Sequence, residues 1–476
     1  MSADVELAFA PADTFDRLAR TRATGSVIGL AGRVLLALAV MGTSVAVAAT
    51  GRVSAGLVAI IAASWSFALL VQTIAAAVVI LPARTSVVTR LRAFELWFQA
   101  HVPWSLWFLL PPLYFVVAGR RITDGVLMGA ALVPMAWTAV LMRAFARNVL
   151  RSRHVHAVTL VHQTVLWGLT ALLHRLRDRW MGSRARRGGA VTRLRSAAVG
   201  LVVAGLAAGS LSTGPPLHEP VRAGDYWILA ADFHVHGFLG DGALAPWLLR
   251  DEAARAGLDV FVLTNHNRVS TGKFARRRFA GTAGPIVIPG QEITARGFHI
   301  AAAGLEERVD WTHGAAAAIR AVHAEGGVAI AAHPERSYWQ GWDDESVRLL
   351  DGYERAHPSM KKPEAGADFV TFAARAEALH PGMATIGSSD YHTTQSPGIC
   401  RTLVLARDRT AESVIAAVRD GRTVAMDMDG RLYGHGDALR LVQEAHLPPP
   451  ARPPFTAGSR APIAAAVGGL LLLVLL

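Results

Sequence analysis

Apolar and polar positions alternate in two different ways along this chain. Between residues 26 and 213 the apolar residues form long unbroken runs: Val27–Thr50, Ala55–Leu81, Val102–Ala118, Gly125–Met142 and Ser196–Leu211. A helix needs about 20 apolar residues to cross ~30 Å of hydrocarbon, so these runs predict about five transmembrane helices behind a polar segment, residues 1–25. Pro103, Pro111 and Pro112 predict a kink in the third. The stretch Val155–Leu173 reads differently, because His156, Thr159, Gln163, Thr170 and His174 recur at steps of three, four and seven. That is an amphipathic helix, expected to lie on the membrane or on other helices.

Beyond a linker at 214–222, short β-like runs take over: Trp227–Phe233, Val260–Thr264, Ile286–Ile288, Val328–Ala332, Ala384–Gly387 and Thr402–Ala406. Helical patterns fall between them, at Pro246–Ala256, Gly314–Glu325, Ala367–Leu379 and Ala411–Asp420. Strands alternating with helices predict an α/β domain over 223–446, with a mostly parallel sheet or a barrel. Chemistry in such folds gathers at the C-terminal ends of strands. A proline-rich spacer (447–461) leads to an apolar tail (462–476) of ~22 Å as helix, enough for a short C-terminal anchor.

Composition sharpens this division. Hydrophobic residues make up 52% and charged residues 18%, against about a quarter charged in soluble domains. A net charge of +12 would suit a nucleic-acid partner, but its distribution does not. Twelve arginines crowd into the segment 143–195, beside the apolar runs, as the positive-inside rule requires of a cytoplasmic face. With five spans, Arg17–Arg22, Arg84–Arg92 and this cluster share one side, and only Arg52 and Arg120–Arg121 face the other. The expected partners are therefore a membrane and a small molecule, with no stable nucleic acid. Everything after Leu211 is expected outside the cytoplasm.

The chain has one cysteine, Cys400, so it has no intramolecular disulfide and no thiolate metal cage. Its histidines carry the chemical signal. The β-like runs end in D-F-H-V-H and L-G-D-G (His234, His236, Asp241), T-N-H-N (His266), Q-E-I-T (Glu292), G-F-H-I (His299), A-A-H-P (His333) and S-S-D-Y-H (Asp390, His392). Residues two apart on a strand point the same way, so each H-x-H or D-x-H pair serves one site. Imidazoles and carboxylates of this kind bind zinc, manganese or iron. Nine groups exceed the needs of one ion and suit two or three, with Glu292 able to bridge.

This ordered set resembles the polymerase-and-histidinol-phosphatase (PHP) superfamily, and within it the stand-alone phosphoesterase and carbaryl-esterase-like branch. The resemblance covers about Asp225–Arg431 and leaves out the apolar half. It implies a distorted (β/α)7 barrel with a di- or trinuclear centre, and the nine residues above as its metal ligands. Hydrolysis of a phosphate ester by metal-activated water is the leading expectation, with His236 or His392 supplying a proton to the leaving group and Arg336 binding substrate. A carboxyl-ester, carbamate or amide hydrolase, and a metal-binding sensor without turnover, are the alternatives. No G-x-S-x-G element points to a serine hydrolase. The family's T-D-H-N reads T-N-H-N here, and Asn265 is expected to serve a ligand imidazole through one uncharged acceptor. Lys273, Arg276, Arg277 and Arg278 form a basic run suited to a phosphate or to a solvated face. The resemblance also puts Glu354, in D-G-Y-E, where relatives often have an acidic residue ending a strand. His313, His323, His357 and His380 read as ordinary histidines.

Overall fold

A computed structural model of the chain describes residues 6–7, 10–21, 24–83, 86–119, 122, 124–174, 189–210, 218–450 and 457–475. It divides into two compact units, Met1–Ser212 with Phe455–Leu476, and Thr213–Pro454.

The first unit is helical. Ser26 caps the helix Val27–Thr50 by accepting from the Gly29 amide, and Gly51 ends it at φ 65°, a left-handed position that costs glycine little. Among the described residues, two helices are long and apolar enough to cross a membrane, Val27–Thr50 and Arg90–Ala118. Ala55–Trp65 and Phe67–Ile80 form a third candidate bent by 42°, and Ser196–Ser210 and Arg460–Leu475 are shorter apolar helices. Two expected boundaries differ. The span expected at Val102 begins at Arg90, where the buried Arg92–Glu95 pair (2.8 Å) lets charged residues enter the helix. The run expected at Gly125–Met142 divides into Asp124–Ala130 and Leu132–Asn148. The amphipathic helix forms over Val155–His174 and packs on other helices of the unit, with His162 fully buried.

The C-terminal helix Ala457–Leu475 returns to this unit and packs along Gly189–Ser210. Glycines permit the close approach: a Cβ at Gly205 would sit 2.5 Å from the Pro462 oxygen, and one at Gly469 2.5 Å from the Ala198 oxygen. The pairing of 205 with 462–466 and of 469 with 198 makes the two helices antiparallel. Ser210 and Ala457 therefore lie at the same end of this helix pair. Ser210 also accepts from the Ala55 amide (3.0 Å), which puts the 51–54 turn at that end.

The second unit is built on strands β1 (Val221–Ala223), β2 (Tyr226–Val235), β3 (Val260–Leu263), β4 (Ile286–Thr294), β5 (His299–Ala303), β6 (Val328–Ala331), β7 (Gly352–Ala356), β8 (Ala384–Gly387), β9 (Arg401–Ala406), β10 (Thr423–Met426) and β11 (Leu432–Gly434). The order β11-β10-β9-β2-β3-β4-β5-β6-β7-β8 winds β2 to β8 into a nearly closed, barrel-like ring of seven strands. Within it β2-β3-β4 and β6-β7-β8 are parallel, while β5 runs antiparallel between β4 and β6. This is a distorted barrel, as expected, with β5 as the distortion. The seam closes twice. Val235 bridges Tyr391 at the C-terminal end of β2, and β9 pairs with the earlier half of β2. Thr402 Oγ1 binds both backbone groups of Gly387, at 3.0 and 2.9 Å, to join β9 to β8.

Leu229, Ala231, Phe233, Val262, Ile288 and Ile386 form one buried apolar cluster with Val414 and Val418 of helix Ala411–Arg419. A second cluster packs Ile300, Ala331 and Tyr353 against the helices Ala315–Ala324 and Pro363–Leu379. With apolar side chains filling these layers, the polar groups at the strand ends are held on a rigid frame.

Candidate metal centre

The ligand types expected from sequence meet at one end of the barrel. His234 is the penultimate residue of β2 and His236 follows the strand, next to a register shift between Asp232 and Val235. Bulges of this kind re-aim side chains near sites. His266 follows β3, Glu292 lies on β4, His299 opens β5, His333 follows β6, and Asp390 and His392 follow β8. Of the six non-glycine residues with positive φ among those described, four sit here: Leu239 (74°), Asn267 (50°), His333 (26°) and Asp390 (48°). Strain of this sort persists where surrounding contacts over-determine the backbone, and it concentrates at functional sites.

Three groups of potential ligand atoms result, each lying within 4.8 Å of one another: His236, Asp241, His266 and His392; His234, Glu292 and His333; His234, His236 and Asp390. In the first, Asp241 approaches His236 Nδ1 at 2.9 Å and the Nε2 atoms of His266 and His392 at 3.1 Å each. In the third, Asp390 Oδ1 lies 3.4 Å from His234 Nε2 and 3.5 Å from His236 Nε2. Glu292 is the hub. Five imidazoles surround its buried carboxylate: His266 at 2.5 Å, His299 at 2.7 Å, His333 at 3.2 Å, His236 at 3.4 Å and His234 at 3.5 Å. His299 joins the centre through Glu292 and packs edge-on against His333, ring centres 4.9 Å apart. The most exposed members, His266 (36%) and Asp390 (26%), mark the open face.

These groups fit divalent metal. His234 Nε2 and His236 Nε2 are buried and make no hydrogen bond, their facing oxygens on Glu292 and Asp390 standing 3.4 to 3.5 Å away. Buried polar atoms are nearly always satisfied, and neutral imidazole nitrogens beside carboxylate oxygens form the donor set that such ions take.

A second layer holds the first. Glu354 on β7 faces His234 Nδ1 at 2.9 Å and accepts from the His333 amide at 2.6 Å, which fixes two ligand-bearing strand ends at once. Its sequence position left this role open, because both partners come from other strands. Losing such a contact commonly costs 10- to 100-fold in metal affinity or activity. Glu354→Gln is therefore expected to weaken metal binding about tenfold or more, read in a metal titration; an unchanged titration would remove the role. Asp232 accepts from the His234 and Ser389 amides, the Ser389 hydroxyl and the Gly398 amide, tying β2 to the loop that carries Asp390. Burial pushes its carboxyl up to about 6, against the pull of those bonds. The expectation for Asn265 needs correcting. Its Oδ1 accepts from the Gly237 amide (2.8 Å) and its Nδ2 donates to Thr271 (3.3 Å), so it shapes the loop after His236 and bonds to no ligand imidazole.

Electrostatics sets how the centre loads. Burial disfavours charged imidazoles, but Glu292 and Asp241 outweigh it at His266 and lift its pKa to about 10. At His392 burial is likewise overcome, by Asp390 and Asp241, and the pKa rises to about 9. Asp241, Glu292 and Asp390 are held well below the usual carboxylate range, because the facing imidazoles overcome their burial. Below pH 9 the metal-free centre thus keeps protons on His266 and His392, and metal must displace them. Binding at pH 7 is expected to release about two protons or more, with affinity rising as pH climbs towards 9–10. Calorimetry in buffers of different ionisation enthalpy reads this directly; heats independent of buffer would refute it.

Other singled-out residues lie further away. Arg336 is exposed and pairs with Asp368 (3.3 Å) rather than with any ligand. Arg276 pairs with Glu306, and Lys273 with Glu307 (2.6 Å). His313 is exposed, and His323 pairs with Asp351 (2.8 Å). His357 departs from its bland reading: it is buried, and its Nε2 lies 3.8 Å from Asp390 without a hydrogen bond. Tyr338 was not anticipated either, yet its ring lies 4.3 Å from His299 and 5.3 Å from His333. Its place in A-A-H-P-E-R-S-Y, five residues past a ligand, was the only sequence signal.

No protein-family profile matches the chain, and no curated protein matches it by sequence. Among solved structures it is similar to a two-domain protein from Bacteroides vulgatus, described as containing a PHP-like metal-dependent phosphoesterase. That likeness has 24% identity and a TM-score of 0.39, and covers 49% of this chain and 74% of the other. It is also similar to a protein from Bifidobacterium adolescentis described as a metal-dependent phosphoesterase, at 18% identity and a TM-score of 0.28, covering 38% of this chain and 92% of that one.

Proposed function

We propose that the chain is a membrane-anchored, metal-dependent hydrolase that cleaves a phosphate ester with two or three divalent ions, zinc, manganese or iron. The observation that carries this reading is Glu292, a fully buried carboxylate amid five imidazoles, two of which leave buried nitrogens unpaired. Removing such a charge from water is costly unless it is paired. His234, His236, Asp241, His266, Glu292, His299, His333, Asp390 and His392 would hold the ions. When bound, they would draw charge from the phosphoryl oxygens and lower the pKa of water towards 7. The protein's own part is positional. Glu354 fixes the tautomer and orientation of His234, Asp241 aligns His236, His266 and His392, and the open face at His266 and Asp390 admits the ester. In an incompletely loaded centre that leaves one of them free of metal, His392 is better placed than His236 to hand a proton to the leaving group, because its side chain is 13% exposed and that of His236 is enclosed. Arg336 would reach substrate by exchanging Asp368 for phosphate.

The full chain in detergent, stripped of metal and then supplied with manganese or zinc, tests the substrate class. It is expected to hydrolyse 4-nitrophenyl phosphate in preference to 4-nitrophenyl acetate. Preference for the acetate would reassign it to carboxyl esters. Inert, metal-loaded protein would favour a sensor.

The domain reading (1–25, 26–213, 214–222, 223–446, 447–461, 462–476) extends this proposal. Five spans with a cytoplasmic N-terminus would place the metal centre outside the cytoplasm. A reporter fused after residue 215 is expected outside and one fused near residue 187 inside. The same location for both would overturn the topology.

A further inference from the structure

His357 is a buried imidazole that the ligand set leaves out. It follows β7, three residues after Glu354, and caps the turn Pro358–Lys361. Its Nδ1 accepts from the Ser359 amide (3.2 Å), and the Ser359 hydroxyl lies 2.9 Å from the same atom. The ring lies against Phe369 of helix Pro363–Leu379, 21° from parallel with centres 5.7 Å apart. On the side of the centre it neighbours the ring of His333, also at 5.7 Å. A hydrogen bond and two neighbouring rings therefore hold its orientation.

The bond at Nδ1 decides the chemistry of Nε2. In His234 and His392, Nδ1 faces an acceptor, a Glu354 oxygen (2.9 Å) and the Asp390 carbonyl (2.8 Å) respectively. The hydrogen then sits on Nδ1, and Nε2 is left to bind metal. His357 has the opposite arrangement. An amide N–H can only donate, so Nδ1 must accept, and the hydrogen of the neutral ring sits on Nε2. His357 thus presents an N–H where ligand histidines present a lone pair. It belongs to none of the three ligand groups found among the described residues.

That N–H faces the centre with no acceptor in reach among the described residues. Asp390 Oδ2 lies 3.8 Å from the buried Nε2 and Glu354 Oε2 4.0 Å from it, both beyond hydrogen-bond distance. Glu354 Oε2 already accepts from the His333 amide (2.6 Å). Asp390 is the carboxylate that marks the open face. Buried polar groups are nearly always satisfied, so a histidine that only filled space would not hold this donor unpaired. A fixed donor beside a metal centre suits an anionic oxygen that arrives with the substrate.

Resting on the hydrolase reading, we propose that His357 is a catalytic residue whose Nε2–H donates to a non-bridging oxygen of the phosphoryl group under attack. The bond strengthens as charge builds on that oxygen in the transition state.

The test uses the full chain in detergent with saturating manganese and 4-nitrophenyl phosphate. His357→Phe keeps a ring beside Phe369 and removes the donor. His357→Asn carries an amide that falls short of the Nε2 position, and His357→Gln brings an amide N–H close to it. In the first two, kcat is expected to fall about a hundredfold, as for the loss of one oxyanion donor, with KM moved less than about threefold. His357→Gln should recover about tenfold of that loss. Orthovanadate, which adopts the five-coordinate geometry of the phosphoryl transition state, should bind the manganese-loaded His357→Phe and His357→Asn chains about tenfold more weakly than His357→Gln. Bound manganese should be the same in every variant as in the parent.

If His357 only supports packing, the order reverses, with phenylalanine tolerated and glutamine not, and the proposal falls. Equal kcat in His357→Gln and His357→Asn overturns it too, whatever the fold of His357→Phe. Manganese lost from every variant would make His357 a ligand and remove the donor role. A parent chain inert to all phosphate esters sinks the hydrolase reading instead, and the vanadate comparison then decides His357 by itself.

Discussion

Alanine at both His234 and His236 is expected to strip the chain of bound metal and to lower phosphate-ester hydrolysis more than about a thousandfold, some 4 kcal/mol of transition-state stabilisation. The two residues are the shared corners of the centre. His234 belongs to two of the three ligand groups and His236 to two, so their loss breaks all three and leaves only the remnants Glu292 with His333, Asp241 with His266 and His392, and Asp390 by itself. Both side chains are fully buried, and the paired truncation opens space beside Glu354 and Glu292. Glutamine at both positions, which fills more of that space, separates a folding defect from ligand loss. Metal content by mass spectrometry and hydrolysis should fall together in both variants, and full retention of metal would refute the ligand assignment.

Glu292→Gln should be nearly as damaging although it keeps the side chain's size. Glu292 sits on β4 opposite Ala301 of β5 and bridges His266 from the neighbouring strand end. As a carboxylate it accepts from, or shares an ion with, five imidazoles at once; as an amide it offers one acceptor and turns two N–H donors on the rest. The expected result is a loss of more than about a hundredfold in hydrolysis, roughly 2.7 kcal/mol, at any metal concentration. Metal affinity should weaken in parallel. An active Glu292→Gln would show that the carboxylate only balances charge.

The two predictions rest on residues that were visible in the sequence, and the reason is local. Most of the ligands follow short apolar runs such as Val260–Leu263 and Val328–Ala331, whose continuous burial marks them as strands, so strand end and ligand were read together. Other elements escaped. β5 reads His-Ile-Ala-Ala-Ala, with three alanines of low strand propensity, and it is a strand only because β4 and β6 pair with it on both sides. β7 reads Gly-Tyr-Glu-Arg-Ala, and its charge is explained by His234, 120 positions away. The helix Ser270–Phe279 was hidden by three consecutive arginines and by Gly272, which is required because a Cβ there would lie 2.9 Å from Pro289 Cα. In each case the deciding partner is tertiary. The same holds for Asn265: the pattern marked the position, but only register shows that the Gly237 amide takes the acceptor meant for an imidazole. In the helical unit, the Arg90–Gln99 segment was passed over because of its charges, of which Arg92 and Glu95 neutralise each other inside the fold.

The measurement that bears most directly on the account is a metal titration of the chelator-stripped full chain, with bound ions and 4-nitrophenyl phosphate hydrolysis followed in the same samples. The account predicts negligible hydrolysis without metal, activity that returns as ions are added, and saturation at two or three ions per chain. Hydrolysis that persists in the stripped protein, or saturation without ions bound to the chain, would contradict it.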